Sequence, residues 1–234
     1  SFNYDIEAGD AAGKWSTIEN ITLNVTNVDE ADPVLASQTF NYAENQAVGG
    51  VVATVLASDD IGVTDFRFSG ASADATDPKL SADGYYTITS DGQISLTAAG
   101  VVAGVAQNDF ETGLNSFNYD IEAGDAAGKW SAIENITLNV TNVDEADPVV
   151  STGQTFNYGE NQLEGDVVAT VLASDDIGVT DFRFSATGTN LSSDGFYTIT
   201  SDGQISLTAA GVAAENNDFE TGLNSFNYDI EAGD

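Results

Sequence analysis

The sequence predicts an all-β protein built of tandem seven-stranded Greek-key β-sandwich domains in a linear array. Two observations predict this class. Long blocks of sequence recur about 110 residues apart, and within each block short runs of alternating apolar and polar residues are separated by turn residues. This spacing is too long for a solenoid repeat and is close to the length of a whole domain.

The repetition is clearest in one decapeptide. SFNYDIEAGD begins at Ser1, at Ser116 and at Ser225, and the longer block VVATVLASDDIGVTDFRFS begins at both Val51 and Val167. Near-identical units of domain size predict beads on a string rather than one continuous core.

Within one unit the strands follow one another between turn signals. The first two runs are separated by Gly49-Gly50, and Asp83-Gly84 and Asp91-Gly92 precede the fourth and the fifth. The sixth run contains FNYDI and the seventh NITLNV, in which alternate apolar residues share one face. The predicted strands are 39–42, 51–57, 65–69, 85–89, 93–97, 116–122 and 133–141. Seven short strands in one unit favour a Greek-key sandwich.

The domain frame that follows is offset from the ends of the chain. Residues 1–31 are predicted to hold the last two strands of a preceding repeat, 32–147 a complete repeat, and 148–234 a repeat that stops one strand short. We expect the sequence to be a window from a longer tandem array. The alternative is strand exchange, in which residues 1–29 of one molecule complete 148–234 of the next, although the sixth strand is then present twice.

Composition narrows the function. The chain has 38 Asp and Glu against 5 Lys and Arg, a net charge of -33, so nucleic acids are poor partners and cations are good ones. Without His or Cys it cannot form a His-paired catalytic triad, a His/Cys zinc site or a disulfide. We therefore expect no enzyme. No apolar run is long enough to span a bilayer, so we expect no membrane insertion, with any export signal outside this sequence.

The ordered motifs resemble cadherin repeats, and more closely bacterial cadherin-like domains. The segments that carry the resemblance are TFNYAENQAVGGVVATVLASDD, GYYTITSDGQISL, NDFETGLNSFNYDIEAGD and the acidic linker NVTNVDEADPV. Together they cover essentially the whole chain. The resemblance implies Ca²⁺ bound at domain junctions, which suits a hard cation that takes six to eight oxygen ligands from several loops.

The resemblance also implies which residues bind the ion. The junction at the second linker would use Glu44, Asp109, Glu111, Asn142, Asp144, Glu145, Asp175 and Asp234. The first linker would use Asn27, Asp29, Glu30, Asp59 and Asp125, and a further junction would use Glu160, Asp218 and Glu220. Asp59-Asp60-Ile61 departs from the family's Asp-x-Asp, which leaves the roles of Asp60 and Asp176 open and predicts fewer ions per junction than in vertebrate cadherins.

The predicted function is that of calcium-rigidified extender repeats in a bacterial extracellular adhesin or surface fibre, on the cell surface or secreted. The predicted partners are neighbouring repeats of the same chain or identical chains in a fibre or filament. The alternative is a calcium-dependent carbohydrate-binding module, with polysaccharide as partner and Trp15 and Trp130 as stacking platforms. Partly buried tryptophans covering the end of the sandwich are favoured over that interpretation.

Several acidic residues have simpler explanations. The acidic surface is also typical of proteins adapted to high salt, which stay soluble through their charge. Asp65 and Asp181 are expected to be loop or strand-edge residues rather than ligands. The pair Asp59-Asp60 is not expected to act as a glycosidase acid and base, because adjacent residues on a strand point in opposite directions.

Overall fold

The computed structural model describes residues 1–70, 76–102, 104–214 and 217–234. Its described residues form two compact units, Ser1–Thr141 and Asn142–Asp234. The strands of unit 1 are β1 (Phe2–Ile6), β2 (Glu19–Leu23), β3 (Val34–Leu35), β4 (Gln38–Ala43), β5 (Val51–Thr54), β6 (Ala57–Ser58), β7 (Val63–Phe68), β8 (Tyr86–Ile88), β9 (Gln93–Leu96), β10 (Ser116–Asp125) and β11 (Glu134–Thr141). Those of unit 2 are β12 (Val149–Val150), β13 (Val167–Thr170), β14 (Ala173–Ser174), β15 (Asp181–Phe184), β16 (Tyr197–Ile199), β17 (Gln204–Leu207) and β18 (Ile230–Gly233).

Helix is scarce in both units. Among the described residues, unit 1 has a 3-10 turn at Phe110–Thr112 and unit 2 has the short helix α1 at Ala209–Val212. The side chain of Thr208 caps α1 by accepting a hydrogen bond from the amide of Gly211. The helices among the described residues are too short to cross a bilayer.

Unit 1 is a β-sandwich. One sheet has the strand order β4-β11-β10-β7 and the other the order β5-β9-β8, while β3 pairs with β6. Strand β11 pairs antiparallel with β10 and parallel with β4, so it occupies the middle of its sheet. This arrangement confirms the predicted all-β sandwich.

The predicted strands are present with shifted ends. The run 51–57 is divided, because β5 pairs with β9 as far as Thr54 whereas Ala57 in β6 pairs with Leu35 in β3. The longest strand, β10, extends beyond the predicted end at Glu122 to Asp125, with an irregularity in its pairing at Gly124/Asp125. The two compact units divide at Thr141, whereas the repeat frame predicted from the sequence ends at residue 147. That frame stays a prediction.

Three tyrosines link the two sheets in the core of unit 1. Tyr86 and Tyr119 meet edge-on with their ring centroids 5.1 Å apart, and the hydroxyls of Tyr42 and Tyr86 are 2.5 Å apart. Tyr119 donates to the carboxylate of Asp83 over 2.6 Å. Burial raises the pKa of Tyr42 to about 12, so this hydroxyl stays protonated and its hydrogen bonds are kept. Ile121, Ile136 and Leu138 are among the fully buried residues of the same core.

The N-terminal hairpin repeats the sequence of a core element but is exposed. Strand β1 pairs with β2 in the register Tyr4↔Ile21, which matches Tyr119↔Ile136 in the pair β10-β11. Ile136 is fully buried, whereas the exposed residues of the hairpin include Phe2, Tyr4, Ile6, Leu23 and Val25. The same alternating sequence therefore has an apolar face that is covered in one copy and open in the other.

Unit 2 repeats part of this sandwich. Its sheets have the orders β13-β17-β16, β15-β18 and β12-β14. Phe184, Tyr197, Ile199 and Leu207 form the buried centre. The segment 154–158 corresponds in sequence to β4 but lies outside the described strands of this unit.

Two of the predicted Asp-Gly turns should respond very differently to substitution. Gly84 and Gly92 both have positive φ, 80° and 79°, so an alanine at either position costs about 1–2 kcal/mol of backbone strain. A Cβ on Gly92 would also meet the carbonyl oxygen of Val55 at 2.6 Å, whereas one on Gly84 has no described heavy atom within 4 Å. We expect Gly92→Ala to lower the free energy of unfolding by roughly 1–3 kcal/mol more than Gly84→Ala. Urea denaturation followed by tryptophan fluorescence would show this, since both tryptophans lie in unit 1, and equal losses would contradict it.

Candidate metal centres

Among the residues that the structure describes, four groups of three carboxylates have ligand oxygens within 4.8 Å of one another. We name them site A (Asp29, Asp59, Asp125), site B (Glu44, Asp109, Glu111), site C (Asp144, Asp175, Asp234) and site D (Glu160, Asp218, Glu220). Sites A and B lie in unit 1, and sites C and D lie in unit 2. All twelve residues are among those that the sequence analysis expects to bind Ca²⁺.

A tight turn fixes the Asp59 carboxylate of site A. Asp59 follows β6, and its Oδ2 accepts hydrogen bonds from the amides of Ile61 and Gly62 over 2.9 and 3.0 Å. Such Asx turns hold a short acidic side chain in one orientation. The other oxygen, Oδ1, is buried and has no hydrogen-bond partner among the described residues.

Asp125, the last residue of β10, is held in the same manner. Its Oδ1 accepts from the amides of Ala127 and Lys129 over 2.8 and 2.9 Å. The side chain is only 6% exposed, and Oδ2 has no described partner. Asp29 from the first linker follows the same pattern, since its Oδ1 accepts from Lys129 Nζ over 2.9 Å while its Oδ2 is buried and unpartnered.

In site A each of the three carboxylates therefore has one buried oxygen with no described partner, and each offers an oxygen within 4.8 Å of the other two residues' ligand oxygens. Buried polar groups are nearly always hydrogen-bonded, and a charged one without a partner is especially costly. Two like charges 4 Å apart repel by about 4 kcal/mol at the effective dielectric constant of a protein surface. Hard oxygen donors of this kind fit Ca²⁺, and a divalent cation would satisfy all three at once.

Site B is built from two loops, one after β4 and one before β10, that are hydrogen-bonded to each other. Asn45, directly after Glu44, has a φ of 59°, a left-handed conformation that Asn tolerates. The amide of Gln46 donates to Asn108 Oδ1 over 2.7 Å, and Asn108 Nδ2 donates to Gln46 O over 3.1 Å. These bonds place Glu44, which is only 3% exposed, beside Asp109 and Glu111, and Glu44 Oε2 accepts from the amide of Phe110.

Site C repeats the turn of site A in unit 2. Asp175 Oδ2 accepts from the amides of Ile177 and Gly178, each over 3.0 Å, and its Oδ1 is buried without a described partner. Asp144 is exposed overall, yet local desolvation and the neighbouring charges of Asp234 and Asp176 raise the pKa of its carboxyl. A bound cation would relieve the repulsion that Asp144 receives from these neighbouring charges.

Site D repeats the loop pair of site B. Asn161 again has a φ of 59°, and Asn217 bonds Gln162 through both its Oδ1 and its Nδ2. Glu160 Oε2 accepts from the amide of Phe219 over 3.0 Å. All three residues of this site are exposed, whereas in site B Glu44 is buried, Asp109 is half-buried and Glu111 is exposed.

Four predicted ligands lie outside these groups. They are Asn27, Glu30, Asn142 and Glu145. The side chains of Asn27 and Asn142 donate to the backbone oxygens of Asp60 and Asp176 over 3.0 Å. Asn142 Oδ1 is nonetheless buried without a described partner, which keeps it available to a cation in unit 2.

The structure assigns a role to the two residues that the sequence left open. Asp60 Oδ2 accepts from the amide of Glu30 over 3.2 Å, and Asp176 Oδ2 accepts from the amide of Glu145 over 3.0 Å. Both side chains therefore hold the acidic linker against the loop that carries Asp59 or Asp175. Asp176 Oδ1 is buried and unpartnered among the described residues, so it is a further potential ligand.

Sequence reasoning missed Lys129. Its ammonium forms an ion pair with Asp29 over 2.9 Å, and that hydrogen bond raises the pKa of the lysine. A lysine 100 positions away in the chain gives no sequence signal of contact. Asp29 is one of the three carboxylates of site A, so the Lys129 ammonium competes with a bound cation for this carboxylate.

Trp130, Asp65 and Asp181, which the sequence analysis also discusses, lie in structural positions outside the four sites. Trp130 is half-buried, with the guanidinium of Arg67 lying 3.7 Å from its ring centroid, and Arg67 also pairs with Glu122 over 2.8 Å. Asp65 lies in β7 and forms an ion pair with Lys79. Asp181 begins β15.

Comparison with solved structures identifies the fold. The ectodomain of human desmocollin-1 matches with a TM-score of 0.58 at 14% identity, covering 88% of this chain and 40% of that one. The extracellular domain of protocadherin gammaB4 matches at 0.52 and 20%, covering 88% and 34%, and cadherin domains 3–6 of protocadherin gamma B2 at 0.52 and 18%, covering 88% and 50%. The chain thus spans about a third to a half of these structures.

Comparison of sequences, by contrast, found no match. No protein-family model matches the chain. No curated protein matches it either. At identities of 14–20% the structural likeness establishes the fold alone. The chain has a cadherin-like, all-β sandwich fold.

Proposed function

We propose that this chain consists of calcium-rigidified extender repeats of an extracellular adhesin or surface fibre, of the bacterial cadherin-like kind that its sequence resembles. The observation that carries the proposal is site A. There three acidic residues each have one oxygen held by the protein and the other buried without a described partner. Repetition of the same turn at Asp175 in unit 2 supports a role common to every repeat.

The residues that would hold Ca²⁺ are those of sites A to D, joined in unit 2 by Asn142 and Asp176. A bound ion would neutralise the crowded carboxylates of each site, and at sites A and C, which include the linker residues Asp29 and Asp144, it would also tie the linker to the loops of its own domain. Extracellular sites of this type bind with a Kd of about 10⁻⁴ to 10⁻³ M. Such a site is about half-occupied or more where calcium is millimolar, as outside cells.

A fibre segment needs length and stiffness rather than chemistry. The near-identity of successive units suits this role, because interchangeable copies are sufficient for a spacer. The net charge of -33 would make the chain repel itself, and bound cations reduce that repulsion. Adhesion between cells or to a matrix would then be a property of the assembled fibre.

The test is small-angle scattering with parallel thermal unfolding, in excess calcium and then in chelator. We expect calcium to increase the maximum particle dimension and to raise the melting temperature. A site filled at about 100 times its Kd adds roughly 2.7 kcal/mol to the folded state. If calcium changes neither quantity, the acidic residues are a salt-adapted surface and the proposal fails.

Removing Lys129 should strengthen binding at site A. In Lys129→Met the aliphatic chain is largely kept, but Asp29 loses the ammonium that competes with a cation. We expect calcium affinity at this site to rise roughly fivefold, corresponding to about 1 kcal/mol. Isothermal titration calorimetry with calcium measures this affinity. Lys14→Met, the same position in the N-terminal copy, is the matched control and should leave affinity unchanged; a Lys129→Met affinity equal to that of the control would contradict the competition.

The carbohydrate-binding alternative is less well supported. A stacking platform needs a free aromatic face, and Arg67 covers one face of Trp130. The exposed Trp15 lies in the N-terminal hairpin, outside the sandwich. Extender repeats are therefore the function that the described geometry supports best.

A further inference from the structure

A buried tyrosine reaches from the core of unit 1 to one of the two loops of site B. Tyr42 lies in β4 and is only 7% exposed, and its hydroxyl is 2.5 Å from the backbone oxygen of Gln107 in the loop before β10. Because a carbonyl oxygen can only accept, Tyr42 donates this hydrogen bond. Gln107 is itself buried, so the bond lies inside the protein.

Both ends of this hydrogen bond lie two residues before a carboxylate of site B. Tyr42 precedes Glu44 by two positions, and Gln107 precedes Asp109 by two. Two residues of extended chain span at most about 7 Å, so the bond acts close to the backbone of each ligand. It therefore joins the two chain segments whose carboxylates must meet at the site.

A second tyrosine supports the first. The hydroxyls of Tyr42 and Tyr86 are 2.5 Å apart, and Tyr42 has given its one hydrogen to Gln107, so Tyr86 is the donor between the two tyrosines. Tyr86 is fully buried. The hydrogen bonds thus run in one direction, from Tyr86 through Tyr42 to Gln107, and in such a chain each bond polarises and strengthens the next.

Unit 2 repeats the first bond of this chain of tyrosines. The hydroxyls of Tyr158 and Tyr197 are 2.6 Å apart, and Tyr158 precedes Glu160 of site D by two positions. A buried hydroxyl destabilises a core unless it is hydrogen-bonded, and phenylalanine fills nearly the same volume without that requirement. The paired hydroxyls nevertheless accompany an acidic loop in both units, which favours a role at the sites over one in packing alone.

We propose that Tyr42 is a positioning residue for the cation of site B, whose hydroxyl holds the loop before β10 where Asp109 meets Glu44. The inference rests on the proposed function, since it requires that site B binds calcium. Asn108 ties the two loops to each other through the backbone of Gln46, and Tyr42 ties them to the core. Groups that hold metal ligands in this way commonly contribute about 10- to 100-fold to metal affinity.

Titration of the full chain with calcium in a calorimeter tests this role, with Glu44→Gln to identify site B. Glu44→Gln removes a charged ligand, so the calcium binding that it abolishes belongs to site B. We expect Tyr42→Phe to weaken that part of the binding roughly tenfold and to leave the remaining calcium binding unchanged. In a chain that already carries Glu44→Gln, adding Tyr42→Phe should change calcium binding no further.

Ser81→Ala is the matched control, because it removes another buried hydroxyl from unit 1. Ser81 is fully buried, and its Oγ donates to Asp83 and accepts from the amide of Tyr86, with no described bond to either loop of site B. Both substitutions should lower the midpoint of urea denaturation in chelator, but only Tyr42→Phe should weaken calcium binding at site B. Equal calcium affinities of site B in the two variants would leave Tyr42 a purely structural role and overturn the inference.

The failure of this inference is distinguishable from a failure of the proposed function. If Glu44→Gln leaves all calcium binding intact, site B is not a cation site and the role of Tyr42 is refuted, whereas the proposed function stands because site A carries it. If the unmodified chain binds no calcium in the same titration, both fail.

Discussion

Asp125→Asn should stabilise the protein in chelator and destabilise it in calcium, a reversal of sign that an ordinary structural substitution does not produce. The amide keeps the oxygen that accepts from the amides of Ala127 and Lys129. Without calcium, the substitution removes one of three crowded negative charges and offers Asp29 and Asp59 a hydrogen-bond donor. With calcium, it removes a charged ligand from site A.

The magnitudes follow from the two states. In chelator we expect a gain of about 1 kcal/mol in the free energy of unfolding, since the repulsion is partly screened. In calcium at about 100 times the wild-type Kd, most of the roughly 2.7 kcal/mol supplied by a filled site should be lost. Urea denaturation followed by the fluorescence of Trp130 measures both, because this residue is half-buried in unit 1.

The N-terminal copy provides a matched control for this substitution. Asp10 Oδ1 accepts from the amides of Ala12 and Lys14, each over 2.9 Å, as Asp125 does from its own turn. Asp10 is exposed, however, and belongs to none of the four sites. Asp10→Asn should therefore show no dependence on calcium. If Asp125→Asn behaves like Asp10→Asn in both solutions, site A is not a cation site.

Much of the fold, and which acidic residues lie near one another within each site, could be predicted from the sequence and the family resemblance. Alternation defines a strand and Asp-Gly marks a turn, so the runs at 93–97 and 116–122 could be placed to within a few residues. The acids of sites A and C follow strand ends that the repeats mark twice, at Asp59 and at Asp175. The family resemblance places the residues of sites B and C in one junction, and that grouping across the two units stays a prediction.

Other features depend on contacts through space. No sequence pattern indicates that Lys129 reaches Asp29, or that one oxygen of Asp59 is held by its own turn while the other is left without a partner. The burial of a side chain also could not be predicted from the residues next to it in the sequence. Identical residues in β2 and β11 differ in exposure because β11 has a paired strand on each side and a facing sheet, whereas β2 pairs with β1 in a two-stranded sheet.

That difference in burial gives the largest stability effect we expect. Leu138→Ala should lower the free energy of unfolding by about 2–5 kcal/mol, since the side chain is fully buried in the core of unit 1 and its removal leaves a cavity. The substitution also withdraws contacts from the central strand of the four-stranded sheet, between β10 and β4. Urea denaturation with Trp130 fluorescence would show the loss as a lower midpoint with little change in slope.

Leu23→Ala is the same substitution in the same local sequence. Leu23 is 52% exposed and pairs only with Phe2 across the hairpin, so in the isolated chain we expect a change within about 0.5 kcal/mol. Comparing the stability changes of Leu23→Ala and Leu138→Ala separates the effect of core packing from that of strand propensity, because the residues that flank Leu23 and Leu138 are identical. Equal losses at dilute protein concentration would mean that the hairpin is packed against a core of its own.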